Sequence, residues 1–548
     1  MTAHPLLPAE VQAEYRRLGY WEGITLAEVV AQRAALHPER RAIVGPEPLS
    51  YGELWRNARK LAGYLVDAGL QPGEFLLAAQ SNSWQGVVLS VAASIAGIAL
   101  APLSSRVSPT LALNLFEQVG CRGVVLEAEL LQSQQWRELF ETLRARVGEG
   151  PVLLAGRLPE ELKEYRSLPT LEHACAMGRE ISQRAKDPTR ISLILSTGGS
   201  TGVPKGVMHC EESLVYAGRV FGRSTEFTEH DVYVAFGPYG HATGSVFDVY
   251  MPLIHGAAIL PNARWKASVV IEAIARYGGT YCITVGTHVF DLLALEQGVE
   301  PLLKSMRLVV SGAGPDHLFE SAERRFGFRV VRDYGLSECL GHAPGRPSDP
   351  AQVRWRKEGV PLPGLEFRIT EPATNQPIAL GQVGEYVCRG PSLFMGYLAQ
   401  PELTRASVTD DGFYRTGDLM MASADGYLTY VGRIKDVIRR GGLQIDVLEM
   451  ERLLSEHPKI AEVAVIGAPH PRLGEQAVMV VLPKADHDRP KLDELVAHLS
   501  RCGLPKECLP ERLVFSTRLP RTEWGKFNRA AMRQWLTEQP EQPTRAAS

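Results

Sequence analysis

The stretch RISLILSTGGSTGVPKG, residues 190–206, passes from an apolar run into a loop of glycine and hydroxyl residues. The run RISLIL predicts a strand, because β-branched and apolar residues bounded by glycine are typical of buried strands. The loop Ser196–Gly206 has four glycines and four hydroxyl residues, whose N–H groups and oxygens can surround phosphate, and Lys205 adds a positive charge. The order of the hydroxyls and the Pro-Lys-Gly ending favour phosphate binding over an ordinary flexible surface loop.

This loop differs from the P-loop of nucleoside triphosphatases. The P-loop pattern G-x-x-x-x-G-K-[ST] requires a hydroxyl residue directly after the lysine. Here Lys205 follows Pro204 and precedes Gly206. The sequence therefore disfavours a P-loop enzyme.

On both sides of the loop, short β-rich runs alternate with amphipathic helical stretches. The β-rich runs lie at 77–81, 123–127, 190–198, 231–237 and 306–314, and the helical stretches at 25–37 and 53–69. This alternation predicts an α/β fold with layered, partly parallel sheets. After about residue 360 the strands become short and broken by Gly and Pro, and a compact unit follows at about 436–530. The Pro/Gln-rich tail at 536–548 is typical of a disordered segment.

The composition excludes several classes of protein. The chain has 548 residues, of which 45% are hydrophobic and 22% charged, as in ordinary globular proteins. Its formal charge of −3 provides no general attraction for polyanions, and we expect no nucleic-acid partner. The apolar stretch Val87–Leu103 is interrupted by serines, a glycine and Pro102, and it predicts a buried helix running into a strand. We therefore expect no integral membrane segment, and without a secretory signal pattern we expect a cytoplasmic protein.

The cysteines show no C-x-x-C spacing. In a long chain this pattern is typical of reduced, mostly buried thiols, and it indicates neither a zinc site nor a disulfide framework. The eight residues are Cys121, Cys175, Cys210, Cys282, Cys339, Cys388, Cys502 and Cys508.

Five further motifs follow the glycine-rich loop. They are Tyr334-Gly335-Leu336-Ser337-Glu338, Gly384-Glu385-Tyr386 with Arg389-Gly390, Tyr414-Arg415-Thr416-Gly417-Asp418-Leu419, Gly432-Arg433-Ile434-Lys435-Asp436, and Pro520-Arg521-Thr522-Glu523-Trp524-Gly525-Lys526. In this order they resemble the adenylate-forming enzymes, which include acyl-CoA synthetases, peptide-synthetase adenylation domains and luciferases. The resemblance implies that ATP activates a carboxylic acid to an acyl-adenylate with release of pyrophosphate. The acyl group then passes to a thiol.

The resemblance also implies a division of the chain. Residues 1–434 would form a large N-terminal domain of layered α/β sheets plus a β-rich subdomain, with the acid and ATP sites. Residues 435–535 would form a small, mobile α+β C-terminal domain. Lys435 would be the hinge, since a few residues between domains absorb large changes in φ and ψ.

By resemblance, ATP binds to the glycine-rich loop and to several later motifs. Tyr334 would stack on the purine, Asp418 would accept the ribose hydroxyls, and Arg433 would reach the ribose or a phosphate. A turn-capping aspartate and a surface arginine are the alternatives for Asp418 and Arg433. The predicted cofactor-binding residues are Ser196, Thr197, Gly198, Gly199, Ser200, Thr201, Gly202, Lys205, Gly312, Ala313, Gly314, Asp333, Tyr334, Gly335, Leu336, Ser337, Asp418, Arg433, Lys435, Arg440, Gly441 and Gly442.

Adenylation brings a carboxylate to a phosphate, so the chemistry needs positive charge and a metal ion. The resemblance implies that Lys526 provides the charge beside the carboxylate and the α-phosphate. Glu338 would bind Mg²⁺, with Thr197 helping to place the metal-bound phosphates. His241 would lie near the reacting carboxylate. The alternatives are a helix-capping Glu338 and a loop histidine that satisfies backbone groups.

The acid pocket of this family lies between two segments of the large domain. The predicted substrate residues are His241, Thr243, Gly244, Val246, Phe247, Gly286 and Thr287. No aspartate is placed to hold an amino-acid ammonium group, since Asp248 comes too late, so an amino-acid-loading domain is disfavoured. In CoA-using relatives, the backbone around Arg440, Gly441 and Gly442 lines the path of the thiol arm, although the basic side chains could equally be solvated.

Three functions follow from these residues. The first is an acid:CoA ligase for a medium-chain, alicyclic or aryl acid, using ATP, Mg²⁺ and CoA. The second is an adenylation enzyme that loads an acyl or aryl acid onto the phosphopantetheine of a carrier protein. The third is an inactive nucleotide-binding protein. In each case we expect a monomer or homodimer.

Overall fold

The structure, a computed structural model, describes most of the chain. The described residues are 4–184, 186–197, 205–312, 314–440, 443–445, 447–484, 488–521 and 527–538. They form two compact units. Unit 1 consists of Met1–Ala313, Leu318–Phe367 and Cys388–Tyr414, and unit 2 of Gly314–His317, Arg368–Val387 and Arg415–Ser548.

The α-helices carry the labels α1 to α17 in chain order. They are α1 (Ala9–Arg17), α2 (Leu26–Leu36), α3 (Tyr51–Asp67), α4 (Trp84–Ala96), α5 (Pro109–Val119), α6 (Gln134–Val147), α7 (Leu171–Met177), α8 (Glu211–Ser224), α9 (Met251–His255), α10 (Ala267–Tyr277), α11 (Gly286–Leu293), α12 (Asp316–Phe326), α13 (Ala351–Arg356), α14 (Pro401–Ala406), α15 (Val447–Ser455), α16 (Leu492–Arg501) and α17 (Arg529–Thr537). A π-helix, Thr243–Tyr250, precedes α9. Among the described residues, no helix combines the length and apolar character needed to cross a membrane.

The strands are likewise labelled in chain order. They are β1 (Arg41–Ile43), β2 (Leu49–Ser50), β3 (Phe75–Ala79), β4 (Ala99–Leu103), β5 (Gly123–Glu127), β6 (Val152–Ala155), β7 (Ile191–Thr197), β8 (Lys205–Cys210), β9 (Val232–Ala235), β10 (Ala258–Pro261), β11 (Tyr281–Val285), β12 (Leu308–Gly312), β13 (Arg329–Leu336), β14 (Leu340–Pro344), β15 (Glu366–Thr370), β16 (Val383–Arg389), β17 (Gly396–Tyr397), β18 (Tyr414–Ala422), β19 (Leu428–Arg433), β20 (Ile438–Arg440), β21 (Leu443–Ile445), β22 (Ile460–His470), β23 (Gly474–Pro483) and β24 (Arg512–Phe515).

Unit 1 contains two large sheets. One has the order β14-β13-β12-β11-β9-β10-β1-β2, and the other β17-β8-β7-β4-β3-β5-β6. Strands β9, β11, β12 and β13 form a parallel run, as do β3, β4, β5 and β6 in the other sheet, whereas β14 pairs with β13 in antiparallel orientation. The predicted α/β class with partly parallel sheets is therefore confirmed.

Local capping explains the bounds of two helices of unit 1, α3 and α4. Helix α3 begins at Tyr51, two residues before the predicted stretch, because Ser50 and Glu53 form a capping box. The apolar stretch at 87–103 is the buried helix α4 followed by β4, as predicted. Gly97 ends α4 in the left-handed region at φ 73°, a conformation that suits glycine.

Unit 2 contains a five-stranded sheet with the path β21-β20-β23-β22, on which β24 pairs with β23. Successive side chains of β22 point to opposite faces, as in any strand. Val463 and Val465 pack into one hydrophobic cluster with α15 and α16, and Ala464 and Ile466 into a second one with α17. The alternation explains why this small unit has two cores. Most of a second sheet, β15-β16-β18-β19, also belongs to unit 2.

Candidate active site

The glycine-rich loop joins two antiparallel strands of unit 1. Thr197 at the end of β7 pairs with Lys205 at the start of β8, so the loop spans a hairpin. The predicted residues Gly198, Gly199, Ser200, Thr201 and Gly202 lie outside the described residues. Ser196 is half-buried at the base of the hairpin. Strand pairing therefore places Lys205 opposite the first hydroxyl residues of the loop.

Lys205 lies over an aromatic ring that the sequence analysis did not single out. Its Nζ is 5.0 Å from the centroid of the Tyr397 ring, a cation–π distance. Tyr397 belongs to β17, which pairs with β8 through Tyr397 and Val207. Lys205 and Tyr397 are almost two hundred residues apart in the chain, so no local sequence pattern could predict this contact.

Tyr397 also binds the predicted metal ligand. Its hydroxyl donates a hydrogen bond of 2.7 Å to Oε1 of Glu338, and it lies 3.3 Å from the hydroxyl of Tyr414. Burial, together with the carboxylate of Glu338, raises the pKa of Tyr397, so the hydroxyl keeps its proton and stays a donor. The second oxygen of Glu338 retains its lone pairs for another partner. Lys205 and Glu338 are thus brought together around one tyrosine.

Glu338 lies in the turn between β13 and β14. The alternative that it caps a helix is wrong, because strands flank it on both sides. In the same turn Leu340 has a φ of 58°, in the left-handed region that non-glycine residues seldom adopt. A Cβ atom at Gly335 would lie 2.5 Å from the carbonyl oxygen of Leu340, so the tight hairpin requires glycine there. Backbone geometry therefore holds the turn that presents Glu338.

The other predicted nucleotide residues of unit 1 lie on adjacent strands. Gly312 ends β12, and a Cβ atom there would lie 3.2 Å from Oδ1 of Asp333 on β13. The ring of Tyr334 is buried and perpendicular to that of His342, with centroids 6.1 Å apart. Leu336 ends β13 and pairs with Leu340, and the carbonyl oxygen of Ser337 lies 2.7 Å from Nε2 of His209. Ala313 lies outside the described residues, and Gly314 belongs to unit 2.

Four segments with predicted site residues lie at or near the carboxyl ends of neighbouring parallel strands. Strand β11 pairs with β9 on one side and with β12 on the other, and β12 pairs with β13. The carboxyl ends of parallel strands meet at one edge, where ligands of open α/β sheets bind. The segments are Gly237–Thr243 after β9, Gly286 and Thr287 at the start of α11, Gly312 at the end of β12, and Asp333 and Tyr334 in the last half of β13. The parallel order of these strands therefore brings predicted acid-pocket residues and predicted nucleotide-binding residues to one edge of the sheet.

His241 is held in one tautomer by its own loop. Its Nδ1 accepts a hydrogen bond of 3.2 Å from the N–H of Thr243 and lies 3.1 Å from Oγ1 of that threonine. An accepting Nδ1 leaves the proton of the neutral ring on Nε2. The N–H of His241 in turn bonds to the carbonyl oxygen of Pro238 at 2.8 Å. The loop therefore prepares Nε2 as a donor.

The predicted wall of the acid pocket is a π-helix. Thr243, Gly244, Val246 and Phe247 all belong to Thr243–Tyr250, and each is buried. A Cβ atom at Gly244 would lie 2.2 Å from the carbonyl oxygen of Pro238, so the close approach of loop and helix requires glycine. π-helical turns are rare and occur frequently at functional sites. No pattern in the sequence predicted that this segment would be a π-helix.

Asp248, which comes too late in the sequence for an amino-acid site, has a structural role. The carboxylate is buried in the π-helix and accepts hydrogen bonds of 2.8 Å from the Tyr233 hydroxyl and from the N–H of Gly237. Burial raises its pKa to about 7, against these hydrogen bonds, which lower it. Asp248 therefore joins the start of the His241 loop to the π-helix.

In unit 2, the predicted ribose residues form a buried ion pair. Asp418 on β18 lies opposite Arg433 on β19, and Nε of Arg433 donates to Oδ1 of Asp418 at 2.9 Å. Only 1% of the Asp418 side chain is exposed, against 41% for Arg433. The arrangement gives Arg433 a carboxylate partner on the neighbouring strand, so it is more than a solvated arginine.

The motif residues around Asp418 support its turn. Glu385 of β16 is buried and accepts a 2.7 Å bond from Arg415, while the N–H of Gly417 points to its other oxygen at 3.3 Å. Oγ1 of Thr416 accepts a 3.1 Å bond from the N–H of Asp418. Two motifs some thirty residues apart therefore serve one purpose, which is to fix the position of Asp418.

The remaining predicted residues lie near the start of the C-terminal segment. Lys435 is exposed just after β19. The guanidinium of Arg440 forms an ion pair with Glu511 and donates a 2.7 Å bond to the carbonyl oxygen of Glu507, so it is not simply solvated. Gly441, Gly442 and Lys526 lie outside the described residues, as does the side chain of Thr197. Their roles stay predictions.

Comparisons with known proteins identify the family of this chain. The profile of a family described as AMP-binding enzyme matches residues 30–398, and that of the AMP-binding enzyme C-terminal domain matches residues 449–526. The salicyl-AMP ligase / salicyl-S-ArCP synthetase of Mycobacterium tuberculosis is 31% identical over 547 residues, which are 96% of this chain and 93% of that protein. The medium-chain fatty-acid–CoA ligase of Escherichia coli is 28% identical over 548 residues, covering 95% of this chain and 92% of that protein.

A solved structure shares the fold. The crystal structure of ATP-bound MatB from Rhodopseudomonas palustris aligns with a TM-score of 0.84 at 26% identity, covering 93% of this chain and 99% of that chain. The resemblance carried by the motifs is therefore confirmed. This chain belongs to the family of AMP-binding enzymes, the adenylate-forming enzymes.

Proposed function

We propose that this enzyme uses ATP to convert a carboxylic acid into an acyl-adenylate and pyrophosphate, and then transfers the acyl group to the thiol of CoA. One observation carries the proposal. Lys205 and Glu338, a cation and a carboxylate from distant segments, converge on Tyr397 at the foot of the glycine-rich hairpin. A triphosphate with its metal ion needs both charges, whereas a neutral ligand needs neither.

The residues present fit Mg²⁺. Glu338 offers one carboxylate whose orientation is held by the Tyr397 hydroxyl, and Mg²⁺ usually takes one or two carboxylates together with phosphate and water oxygens. When bound, the ion neutralises charge on the phosphate oxygens. Thr197 is the second residue proposed to help hold it.

The protein groups then act on the reacting acid. Nε2–H of His241 would donate a hydrogen bond to the acid carboxylate or to the α-phosphate, and Lys526 would offset the negative charge where these anions meet. The carboxylate oxygen attacks the α-phosphorus, the P–O bond to pyrophosphate breaks, and the acyl-adenylate forms. The pair Asp418–Arg433 would hold the ribose during this step.

The thioester step is proposed to follow a rotation of the C-terminal domain. Residues 435–535 would turn about Lys435, withdraw Lys526 and open a path for the thiol along Arg440, Gly441 and Gly442. The thiolate attacks the acyl carbon, and AMP leaves. Val246 and Phe247, both buried and apolar, favour a medium-chain, alicyclic or aryl acid over a strongly polar one.

A carrier protein is the second candidate acceptor. The relative named salicyl-AMP ligase / salicyl-S-ArCP synthetase is 31% identical over nearly the whole chain, whereas the CoA ligase from Escherichia coli is 28% identical. The adenylation half-reaction is the same for both acceptors. The two candidates therefore differ only in the thiol that accepts the acyl group.

The test is a panel of carboxylic acids assayed for acid-dependent pyrophosphate release, with CoA, with a phosphopantetheinylated carrier protein, and with neither. We expect at least one medium-chain, alicyclic or aryl acid to give release, and CoA to give the acyl-CoA product. Acid-dependent release with acyl transfer only to the carrier would establish the second candidate. No acid-dependent release across the panel would contradict the proposed function.

A further inference from the structure

Three buried side chains with metal-binding atoms lie together beside the Glu338 turn. Cys339 follows Glu338 directly, His342 belongs to β14, and Cys388 belongs to β16. Their side chains are almost wholly buried, with residue exposures of 2%, 0% and 0%. One ligand atom from each lies within 4.8 Å of the others, and all three belong to unit 1.

The spacing of the two sulfur atoms matches a tetrahedral metal site. The Sγ atoms of Cys339 and Cys388 are 3.7 Å apart. Zinc–sulfur bonds of about 2.3 Å at the tetrahedral angle put two sulfur ligands about 3.8 Å apart. A disulfide needs sulfur atoms about 2.05 Å apart, so the two residues are separate thiols in this structure.

The donor set selects a soft or borderline metal. Thiolate and imidazole ligands suit zinc, whereas Mg²⁺ and Ca²⁺ prefer oxygen. Two thiolates and a neutral imidazole also balance the charge of a divalent ion. A neutral complex can be buried without the large penalty of an isolated charge.

We propose that Cys339, His342 and Cys388 form a zinc site of this enzyme, in which a water molecule completes the tetrahedral coordination. On binding, each thiol loses one proton and forms a zinc–sulfur bond, and the imidazole contributes a lone pair. Two protons leave for solvent per zinc ion, and nothing is oxidised or reduced. The site is distinct from the magnesium-binding role of Glu338 and does not depend on the proposed function.

The position of the site gives it a structural consequence. Zinc would join the β13–β14 turn, which carries Glu338, to strand β16 through two bonds. The turn contains the strained residue Leu340, and its Glu338 must keep the hydrogen bond from Tyr397. A metal cross-link at the adjacent Cys339 would hold this turn in place in the absence of nucleotide.

The test begins with the full-length enzyme produced in zinc-supplemented medium and freed of loosely bound metal by gel filtration. We expect elemental analysis to find one zinc ion per chain in the wild type. In Cys388→Ser and in His342→Gln the zinc content should fall to that of the buffer blank. Cys282→Ser, a change at another buried cysteine outside the cluster, should retain the zinc.

A second measurement needs no variant, in case Cys388→Ser fails to fold. Enzyme produced with cobalt in place of zinc should show the visible absorption of tetrahedral cobalt with thiolate ligands, and a mercurial thiol reagent should abolish it. Wild-type enzyme that contains no zinc and shows eight titratable thiols after denaturation would mean that the two cysteines are ordinary packed thiols, and it would overturn the proposal. Six titratable thiols would reveal a disulfide and also overturn it, as would zinc that persists unchanged in both cluster variants.

Discussion

Replacing Asp248 by asparagine should change how the stability of unit 1 depends on pH. Asparagine has nearly the same shape as aspartate but cannot ionise. In the wild type, burial raises the pKa of the Asp248 carboxyl from 3.8 to about 7. The native state therefore keeps this proton over a range of pH in which the unfolded chain has lost it.

The sign and size of the effect follow from proton linkage. Between about pH 4 and pH 7 the native state binds one proton more at Asp248 than the unfolded state, so the free energy of unfolding falls as pH rises. The slope is about 1.4 kcal/mol per pH unit. From pH 5 to pH 7 the loss comes to about 2 kcal/mol, because the carboxyl is half ionised at the upper end. Above about pH 8 the contribution stays constant.

This loss converts into a shift of the melting temperature. Unit 1 has about 390 residues, and an unfolding entropy of about 2.1 cal/mol/K per residue gives about 0.8 kcal/mol per degree. The melting temperature of the wild type, relative to that of Asp248→Asn, should thus fall by about 3 °C from pH 5 to pH 7. Glu211, whose pKa burial raises to about 6, titrates in both proteins and cancels in the difference.

The assay is differential scanning calorimetry of both proteins at half-unit steps of pH, at one scan rate and without ligands. Asp231→Asn is the matched control. Asp231 is also buried, and burial alone would raise its pKa. Hydrogen bonds from Arg307 and Thr280 outweigh this effect, so the pKa of Asp231 is lowered. The difference between wild type and Asp231→Asn should therefore be flat from pH 5 to pH 7. A flat difference for Asp248→Asn as well would refute the reasoning, since Asp248 would then be ionised throughout this range.

Three further variants address the active site. Lys526→Ala should abolish acid-dependent ATP–pyrophosphate exchange but leave transfer from a preformed acyl-adenylate largely intact. The control Lys506→Ala, at an exposed lysine, should keep both activities. Normal exchange in Lys526→Ala would contradict the catalytic role of Lys526. Tyr397→Phe removes the hydrogen bond to the carboxylate of Glu338, which is worth about 1.5–3 kcal/mol. The kcat/KM for Mg-ATP should therefore fall by about 10- to 100-fold. An unchanged kcat/KM over a magnesium titration would show that this hydrogen bond does not position Glu338 for the metal ion. Asp418→Asn should raise the KM for ATP by about tenfold with a smaller effect on kcat, and an equal loss for every substrate without change in KM would point to misfolding instead.

Local patterns in the sequence were sufficient for the elements and for the order of the motifs. The run RISLIL predicts the strand β7, and Ser50 with Glu53 explains the start of α3, because each depends on residues only a few positions apart. The same holds for the buried helix α4. Helix capping, strand propensity and glycine conformation are properties of short segments, and these can be read without knowing the fold.

The candidate site could be predicted only in part. The motif residues Asp418 and Arg433 were found, but their ion pair depends on the register of β18 and β19. Tyr397 was missed, because its two contacts lie far away along the chain and its own surroundings carry no motif. Asp248 was considered only as a partner for a substrate ammonium group, and it comes too late in the sequence for that role. Its hydrogen bond to Gly237 depends on the packing of the π-helix against the loop, which the sequence does not reveal.

By itself, the sequence determined the α/β class, the alternation of elements and the set of residues that resembles adenylate-forming enzymes. Tertiary structure alone decided which of these residues meet. The pairing of β17 with β8 brings Tyr397 to Lys205, and the antiparallel turn of β13 and β14 brings Cys339 and His342 to Cys388. Sheet order and register determine such contacts, and both arise from packing across the whole chain. The spacing of cysteines along the chain could therefore indicate no metal site, whereas the fold places three ligand atoms together.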